Sequence, residues 1–183
     1  STAIAQGFKP AHFPAVFSEI YAGLKEERAK YPKGTSINKA LKLAGNGAYG
    51  NSNNQFSPLF DPMMTMQTTV NGQLLICMLV EQLVKIDGLR VVQANTDGIT
   101  VKCPKVGRSL MSDVIKWWEG ITKLKMEFAE YDIMCIRDVN NYIAIGIDGK
   151  VKGKGVHSDV DSKPEPLKTH RSFTICSKAA LGF

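Results

Sequence analysis

Residues 89–102 read LRVVQANTDGITVK, and this stretch decides the fold class. Two apolar runs rich in β-branched side chains, at 89–94 and 99–102, flank the polar segment Asn-Thr-Asp-Gly at 95–98. Asp-Gly between two such runs is a strong signal for a β-hairpin. The sequence therefore predicts a hairpin that carries Asp97 at its tip.

The chain before this hairpin is predicted to be helical. Phe13, Phe17, Ile20 and Leu24 recur at the spacing of one helical stripe. Pro32 and Gly34 end this first helix, and Thr35 or Ser36 can cap a second one that runs from about residue 37 to 48. Two helices joined by so short a turn form a helical hairpin. A longer buried helix is predicted from about residue 62 to 85.

The chain after the hairpin mixes both kinds of element. A helix is predicted over 109–120, strands over 125–128, 133–137 and 142–147, and a final helix from residue 170. The fold class is therefore α+β, with a helical hairpin at 1–50, a sheet-bearing region at 51–169 and the start of another helical region at 170–183.

Composition excludes several classes of protein. The 183 residues are 44% hydrophobic and carry a net charge of +6. The longest apolar run, residues 74–80, is far shorter than the roughly 20 residues of a membrane helix, so we expect no membrane span. No basic leader precedes an apolar stretch, so no signal peptide is expected. The four cysteines form no Cys-x-x-Cys pair, and we interpret them as buried, reduced thiols of a cytoplasmic protein.

The second predicted helix carries one chemically distinctive face. Lys42, Asn46 and Tyr49 lie at i, i+4 and i+7, within about 60° of one another on a helix. An ammonium, an amide and a phenol ring on one face suit a nucleoside triphosphate. The same residues also fit an ordinary amphipathic helix that stops at Gly50. A dinucleotide-binding role for the Gly-x-Gly-x-x-Gly pattern at 45–50 is rejected, because a helix rather than a strand precedes it.

Two further segments have both a functional and a plain interpretation. Asp97 at a hairpin tip offers the kind of oxygen ligand that Mg²⁺ takes, but the segment is equally an ordinary Asp-Gly turn. A basic turn with Lys150, Lys152 and Lys154 fits nucleic acid phosphates or a solvated surface. Residues 1–60 carry seven Lys and Arg against three Asp and Glu, so the positive charge is concentrated on the helical hairpin.

Taken together, these segments resemble the polymerase core of family B DNA polymerases. There the helical motif reads Lys-x-x-x-Asn-Ser-x-Tyr-Gly, and a hairpin motif that follows reads Asp-Thr-Asp-Ser. Residues 17–28 are similar to the first fingers helix, 124–128 and 137–145 to the primer-gripping part of the palm, and 170–180 to the entry of the thumb. The motifs Asn-Thr-Asp-Gly at 95–98 and Asn-Asn-Tyr-Ile-Ala at 140–144 resemble those of polymerases from tailed bacteriophages.

The sequence departs from the family pattern at the hairpin and at the primer grip. Asn95 replaces the first hairpin aspartate, Gly98 replaces the serine, and Gly47 replaces the serine of the helical motif. Asn140-Asn141 replaces the usual Lys-rich pair before the tyrosine of the primer grip. Asp97 retains the position of the family's direct metal ligand.

The resemblance implies template-directed nucleotidyl transfer from a dNTP to a primer 3′-hydroxyl, in phage DNA replication in a bacterial host. It implies that Asp97 is catalytic and ligates one of two Mg²⁺ ions. Lys42, Asn46, Tyr49 and Arg28 would bind the nucleotide. Primer-template DNA would contact the residues Gly50, Asn141, Tyr142, Lys150, Lys152 and Lys154.

The family's other metal-binding aspartate lies in an Asp-x-x-Ser-Leu-Tyr-Pro motif upstream of the fingers, and residues 1–60 contain no Asp. We therefore expect this chain to need the remaining polymerase segments (the upstream palm motif, the exonuclease and the thumb) and to be inactive alone. Two alternatives stay open: a non-catalytic DNA-binding module that keeps the palm fold, and a basic α+β protein unrelated to polymerases.

Overall fold

The computed structural model describes residues 2–95 and 98–157. In these ranges the helices are α1 (Thr2–Gln6), α2 (Val16–Ala29), α3 (Ser36–Asn51), α4 (Pro62–Leu83) and α5 (Arg108–Thr122). The strands are β1 (Arg90–Ala94), β2 (Ile99–Lys102), β3 (Tyr131–Asp138), β4 (Asn141–Gly146) and β5 (Val151–Lys154). This mixture of helices and small sheets confirms the α+β prediction. Asp97 and the helix predicted at 170–183 lie outside the described residues.

The described residues divide into two compact units. The first holds residues up to 92 together with 98–126, and the second holds 93–95 together with 127–157. The helices, including the hairpin predicted at 1–50, belong to the first unit, and the sheet of β3, β4 and β5 belongs to the second.

The helical hairpin of α2 and α3 forms as the sequence predicts. Thr35 has an extended backbone and its hydroxyl accepts a hydrogen bond from the backbone N–H of Asn38, which caps α3. Tyr21 of α2 is 5% exposed, and its hydroxyl donates to the carbonyl of Gly45 on α3 at 2.9 Å. This bond ties the two helices together near the middle of α3.

The larger of the two hydrophobic clusters described in the first unit lies between α4 and α5. Leu79 and Leu83 of α4 pack with Ile115 and Trp118 of α5, and all four are buried. Trp118 is 2% exposed, and its indole N–H donates to the carbonyl of Leu75 at 2.7 Å. A ring of this size supplies much of the apolar contact between the two helices.

The amino-terminal segment is fixed against the start of α4 by one carboxylate. Asp61 caps α4, with Oδ1 accepting the backbone N–H of Met64 at 3.1 Å. Its Oδ2 accepts the backbone N–H of Ala11 at 2.7 Å. These hydrogen bonds to the charged form lower the pKa of Asp61, the bond from Ala11 most of all.

The second unit is built on a three-stranded antiparallel sheet with the order β3-β4-β5. Central strand β4 is its most buried part: Tyr142, Ile143 and Ala144 are all at most 7% exposed. Asn140, the last residue of the turn from β3 to β4, has a φ of 71°, a conformation that asparagine tolerates better than most residues.

Several sequence-based predictions differ from the structure in detail. Helix α1 was not predicted, since five residues carry too short a periodic signal. No strand forms over the range predicted at 125–128; there the backbone N–H of Met126 donates to a carboxylate oxygen of Glu119 on α5. Cys77 and Cys135 are exposed rather than buried, although both are free thiols. None of the helices in the described ranges is long and apolar enough to cross a bilayer.

Candidate nucleotide-binding site

A pocket of about 370 Å³ opens on the helical hairpin in the first unit. Residues of α2, α3 and α4 form most of its wall, and α1 supplies one side. The lining residues are Thr2, Ile4, Tyr21, Leu24, Lys25, Arg28, Leu41, Lys42, Gly45, Asn46, Tyr49, Thr68, Thr69 and Gly72.

All four residues predicted to bind a nucleotide line this pocket. Lys42, Asn46 and Tyr49 come from one face of α3, as their helical spacing requires, and Arg28 comes from the last turn of α2. Lys42 and Asn46 are exposed, whereas Tyr49 and Arg28 are partly buried. The structure thus brings the four together, and their role stays a prediction.

The pocket wall is positively charged. Among the described residues that line it, three carry a cationic side chain, Lys25, Arg28 and Lys42, and none carries a carboxylate. A partly enclosed site with several cations and no acidic residue attracts polyanions, because the charges act together near a surface of low dielectric. Lys25 is not among the residues predicted from the sequence to bind a nucleotide, because a lysine at this position is equally compatible with a solvated helix face.

Arg28 is held in place by a neighbouring amide. Its Nε donates to the side-chain Oδ1 of Asn38 on α3 at 3.3 Å. Asn38 is only 6% exposed, so this amide is part of the packed contact between α2 and α3. The sequence gives no signal for it, because an asparagine one turn before Lys42 is equally compatible with an exposed helix position.

Tyr49 is fixed by α4. Its hydroxyl is 2.7 Å from the hydroxyl of Thr69, which in turn donates to the carbonyl of Thr65 one helical turn earlier. Close by, the fully buried hydroxyl of Ser52 lies 2.7 Å from the Thr65 hydroxyl. The contact with Thr69 restricts the orientation of the Tyr49 ring, which lines the pocket.

The amino-terminal segment closes one side of the pocket. Thr2 and Ile4 of α1 belong to the wall. Ala3 between them is 1% exposed and packs with Tyr21 of α2 and Met64 of α4. The position of this wall therefore depends on the bonds that fix the segment, including the Asp61 carboxylate at Ala11.

The metal ligand predicted at Asp97 lies outside the described residues. Within the ranges that the structure covers, no group of three or more His, Cys, Asp and Glu side chains could hold a metal ion. The described residues alone therefore do not fit a metal. A Mg²⁺ ion at Asp97 would need further oxygen ligands from substrate phosphates and from other parts of the protein.

Asn95 has a definite partner in the second unit. Its side-chain amide donates to Oδ1 of Asn140, the positive-φ residue of the β3–β4 turn, at 3.1 Å. A carboxylate at position 95, as in the family motif, could not donate this bond. Two of the positions that depart from the family pattern, Asn95 and Asn140, are thus in direct contact.

Several of the residues predicted to contact DNA make contacts within the sheet of the second unit. The amide of Asn141 lies within the sheet, with Oδ1 accepting the backbone N–H of Val156 at 2.9 Å and Nδ2 donating to Asp138. Tyr142 is buried, and the ammonium of Lys154 lies 6.0 Å from its ring centroid. Such a contact orders the lysine on the sheet.

The three lysines of the basic turn are not equivalent. Lys150 forms an ion pair of 2.7 Å with Asp148, and this carboxylate raises the pKa of the lysine. Lys152 is exposed on β5. We expect Lys152 and Lys154 to be better placed for phosphates than Lys150, whose charge is partly neutralised.

Gly50, which was also predicted to contact DNA, is exposed at the end of α3 and does not line the pocket.

The fold is similar to part of a solved polymerase structure. The solved structure of the family B DNA polymerase from the hyperthermophilic archaeon Pyrobaculum calidifontis matches 80% of this chain with a TM-score of 0.52. The match covers 22% of that protein, and at 20% sequence identity it shows the fold alone.

The sequence is also similar to that of a DNA polymerase. The chain is 26% identical over 134 residues to DNA polymerase 1 of Saccharolobus solfataricus, a match that covers 72% of the chain and 15% of that polymerase. No protein-family model matches the sequence. The matches cover only 15% and 22% of the lengths of these two polymerases, so the chain corresponds to a small part of each.

Proposed function

We propose that this chain is the fingers and palm part of a DNA-directed DNA polymerase, and that the pocket on α2 and α3 binds the incoming dNTP. The observation that carries the proposal is the convergence of Arg28, Lys42, Asn46 and Tyr49 on one cationic pocket. The low-identity similarity to two archaeal DNA polymerases supports it.

Each side chain has a distinct task in this proposal. Lys42 and Arg28 bind the triphosphate, Lys42 as an exposed point charge and Arg28 as a planar fork that can engage two phosphate oxygens. Lys25 adds a third cation. Asn46 and Tyr49 line the nascent base pair, with the tyrosine ring against the sugar or base.

The chemistry would be nucleotidyl transfer to a primer 3′-hydroxyl. Asp97 would hold Mg²⁺, and two such ions, when bound, polarise the phosphate and activate the hydroxyl. We propose that the second carboxylate comes from the remaining polymerase segments. Primer-template DNA would lie along Lys152 and Lys154, while the buried Tyr142 would support Lys154 from within the sheet rather than contact DNA itself. The bacteriophage context is a further proposal that rests on the wording of residues 95–98 and 140–144, whereas the two relatives are archaeal.

Photoaffinity labelling tests the location of the nucleotide. The full chain is irradiated with an azido derivative of dATP in the presence of Mg²⁺, and labelled peptides are mapped. Labels on peptides from α2 and α3 that disappear with excess dATP, but persist with excess deoxyadenosine, are the expected result. Labelling that deoxyadenosine removes equally well would contradict a site that depends on the triphosphate.

A second candidate is a DNA-binding module that keeps the palm fold without catalysis. Asn95 favours it, because an amide that donates to Asn140 stands where the family has a carboxylate. A primer-extension assay on a longer polymerase that contains this chain distinguishes the two candidate functions. Mg²⁺-dependent synthesis that Asp97→Ala abolishes supports the catalytic one. DNA binding without synthesis supports the module. The isolated chain is expected to be inactive in either case.

A further inference from the structure

Asn38 is a buried amide outside the helical motif that begins at Lys42. It lies in the first turn of α3 and is 6% exposed, although asparagine is mostly an exposed residue. A buried amide needs hydrogen-bond partners for both its oxygen and its nitrogen. Its partners are therefore informative about its role.

The side-chain partners of Asn38 lie at the end of α2 and just beyond it. Its Nδ2 donates to the carbonyl of Arg28 at 3.2 Å and to the carbonyl of Tyr31 at 2.8 Å. Its Oδ1 accepts from Nε of Arg28 at 3.3 Å. This pattern fixes the orientation of the amide, because the reverse orientation would place the amide nitrogen against a donor and its oxygen against two carbonyls.

The same amide thus holds both the backbone and the side chain of Arg28. With Nε engaged by Asn38, the two Nη groups form the end of the fork that remains for a ligand. Among the described residues, Arg28 makes no ion pair with a carboxylate. Asn38 therefore orients the guanidinium of Arg28, and no described carboxylate neutralises its positive charge. This arrangement suits the binding of a phosphate.

We propose that Asn38 is a positioning residue that fixes the guanidinium of Arg28 for binding the phosphates of a nucleoside triphosphate. This inference rests on the proposed function of the pocket. Asn38 itself touches no substrate in this account. Its effect on binding passes through Arg28, whereas Lys42, on the other wall of the pocket, acts independently.

A double-mutant cycle tests this dependence. The affinity of the full chain for dATP with Mg²⁺ is measured for wild type, Asn38→Ala, Arg28→Ala and the double variant. We expect Asn38→Ala to weaken binding about tenfold alone, and less than about twofold when Arg28 is already alanine. Asn51→Ala, a change to an exposed amide of the same helix, is the matched control and should leave the affinity unchanged.

The outcomes separate the inference from the proposed function. If the wild type does not bind dATP, both fail. If it binds, and Asn38→Ala weakens binding equally in both backgrounds, the positioning role is wrong and Asn38 only stabilises the helical hairpin. Circular dichroism on each variant establishes that the helices are intact.

A measurement on the wild-type chain keeps the test independent of whether the variants fold. In nitrogen-15 NMR spectra of the wild type, with the arginine Nε–H signals assigned by through-bond connection to their own side chains, the Nε–H of Arg28 should exchange with water at least about fivefold more slowly than that of the exposed Arg90. The reason is that it is hydrogen-bonded before any ligand is added. Equal exchange rates would overturn the inference.

Discussion

The carboxylate of Asp61 is the most informative single target for a stability measurement. Its two oxygens bond to two separate segments: Oδ1 caps α4 at Met64, and Oδ2 fixes the amino-terminal segment at Ala11. Replacement by alanine removes both bonds. Replacement by asparagine leaves an oxygen that can still cap the helix, while its amide group cannot accept from Ala11.

The expected magnitudes follow from these two bonds. Losing an N-cap costs about 1 kcal/mol, and losing a hydrogen bond to a charged acceptor costs about 1.5 kcal/mol at a partly exposed site. We therefore expect Asp61→Ala to lower the free energy of unfolding of the first unit by about 2–3 kcal/mol, and Asp61→Asn by about half of that. In a chain of this size the alanine variant should melt about 5–10 °C lower.

Tryptophan fluorescence is the appropriate assay, because both tryptophans lie in α5 and report on the first unit. The pH dependence gives a second test. The pKa of Asp61 is lowered in the folded state, so its stabilisation is present above the ordinary aspartate pKa of about 3.9. It is lost as the pH falls through the lower folded value, and this loss should be absent in Asp61→Asn.

Equal stability of the wild type and both variants, at neutral and acid pH, would refute this account of Asp61. The effect of Asp61 on the pocket can be measured too, since the amino-terminal segment that it fixes includes α1, which supplies one side of the pocket. If Asp61 fixes this wall, Asp61→Ala should also speed proteolysis within residues 1–15.

Two further predictions concern the packing of each unit. Trp118→Ala should lower the free energy of unfolding of the first unit by about 3–5 kcal/mol, because the ring is buried. Trp117→Ala, at a position 43% exposed, should lower it by about 1 kcal/mol or less. Denaturant unfolding followed by circular dichroism measures both. Gly155→Ala should destabilise the second unit by more than about 2 kcal/mol, because the new Cβ would lie 2.5 Å from the carbonyl oxygen of Asn140. Gly149→Ala has a similar positive φ with no atom within 4 Å, so hydrogen exchange in β4 should change less in that control.

The elements that the sequence predicted well are those whose signal is local. The helical hairpin was predictable because apolar side chains recur at helical spacing and Thr35 offers a side-chain cap. The same spacing placed Lys42, Asn46 and Tyr49 on one face, and these residues do line one pocket. A helix repeats its geometry from residue to residue, so a face follows from numbers alone.

The features that the sequence did not predict depend on distant partners. The amide of Asn38 is buried and hydrogen-bonded only because the carbonyl of Arg28 at the end of α2 and that of Tyr31 just after it face Asn38. The range predicted as a strand at 125–128 has β-like side chains, but the backbone N–H of Met126 bonds to Glu119 of α5 instead. Lys25 belongs to the pocket because of how α2 packs on α3, which a count of charges along one helix cannot show.

The central claim is that the cationic pocket binds a nucleoside triphosphate through Lys42. The most direct measurement is the affinity of the full chain for dATP with Mg²⁺, by isothermal titration calorimetry, for wild type, Lys42→Ala and Lys39→Ala. The two lysines lie on the same helix and both are exposed, but only Lys42 lines the pocket. We predict about tenfold weaker binding for Lys42→Ala and an unchanged affinity for Lys39→Ala. Equal affinities for all three proteins, or equal losses in both variants, would contradict the claim.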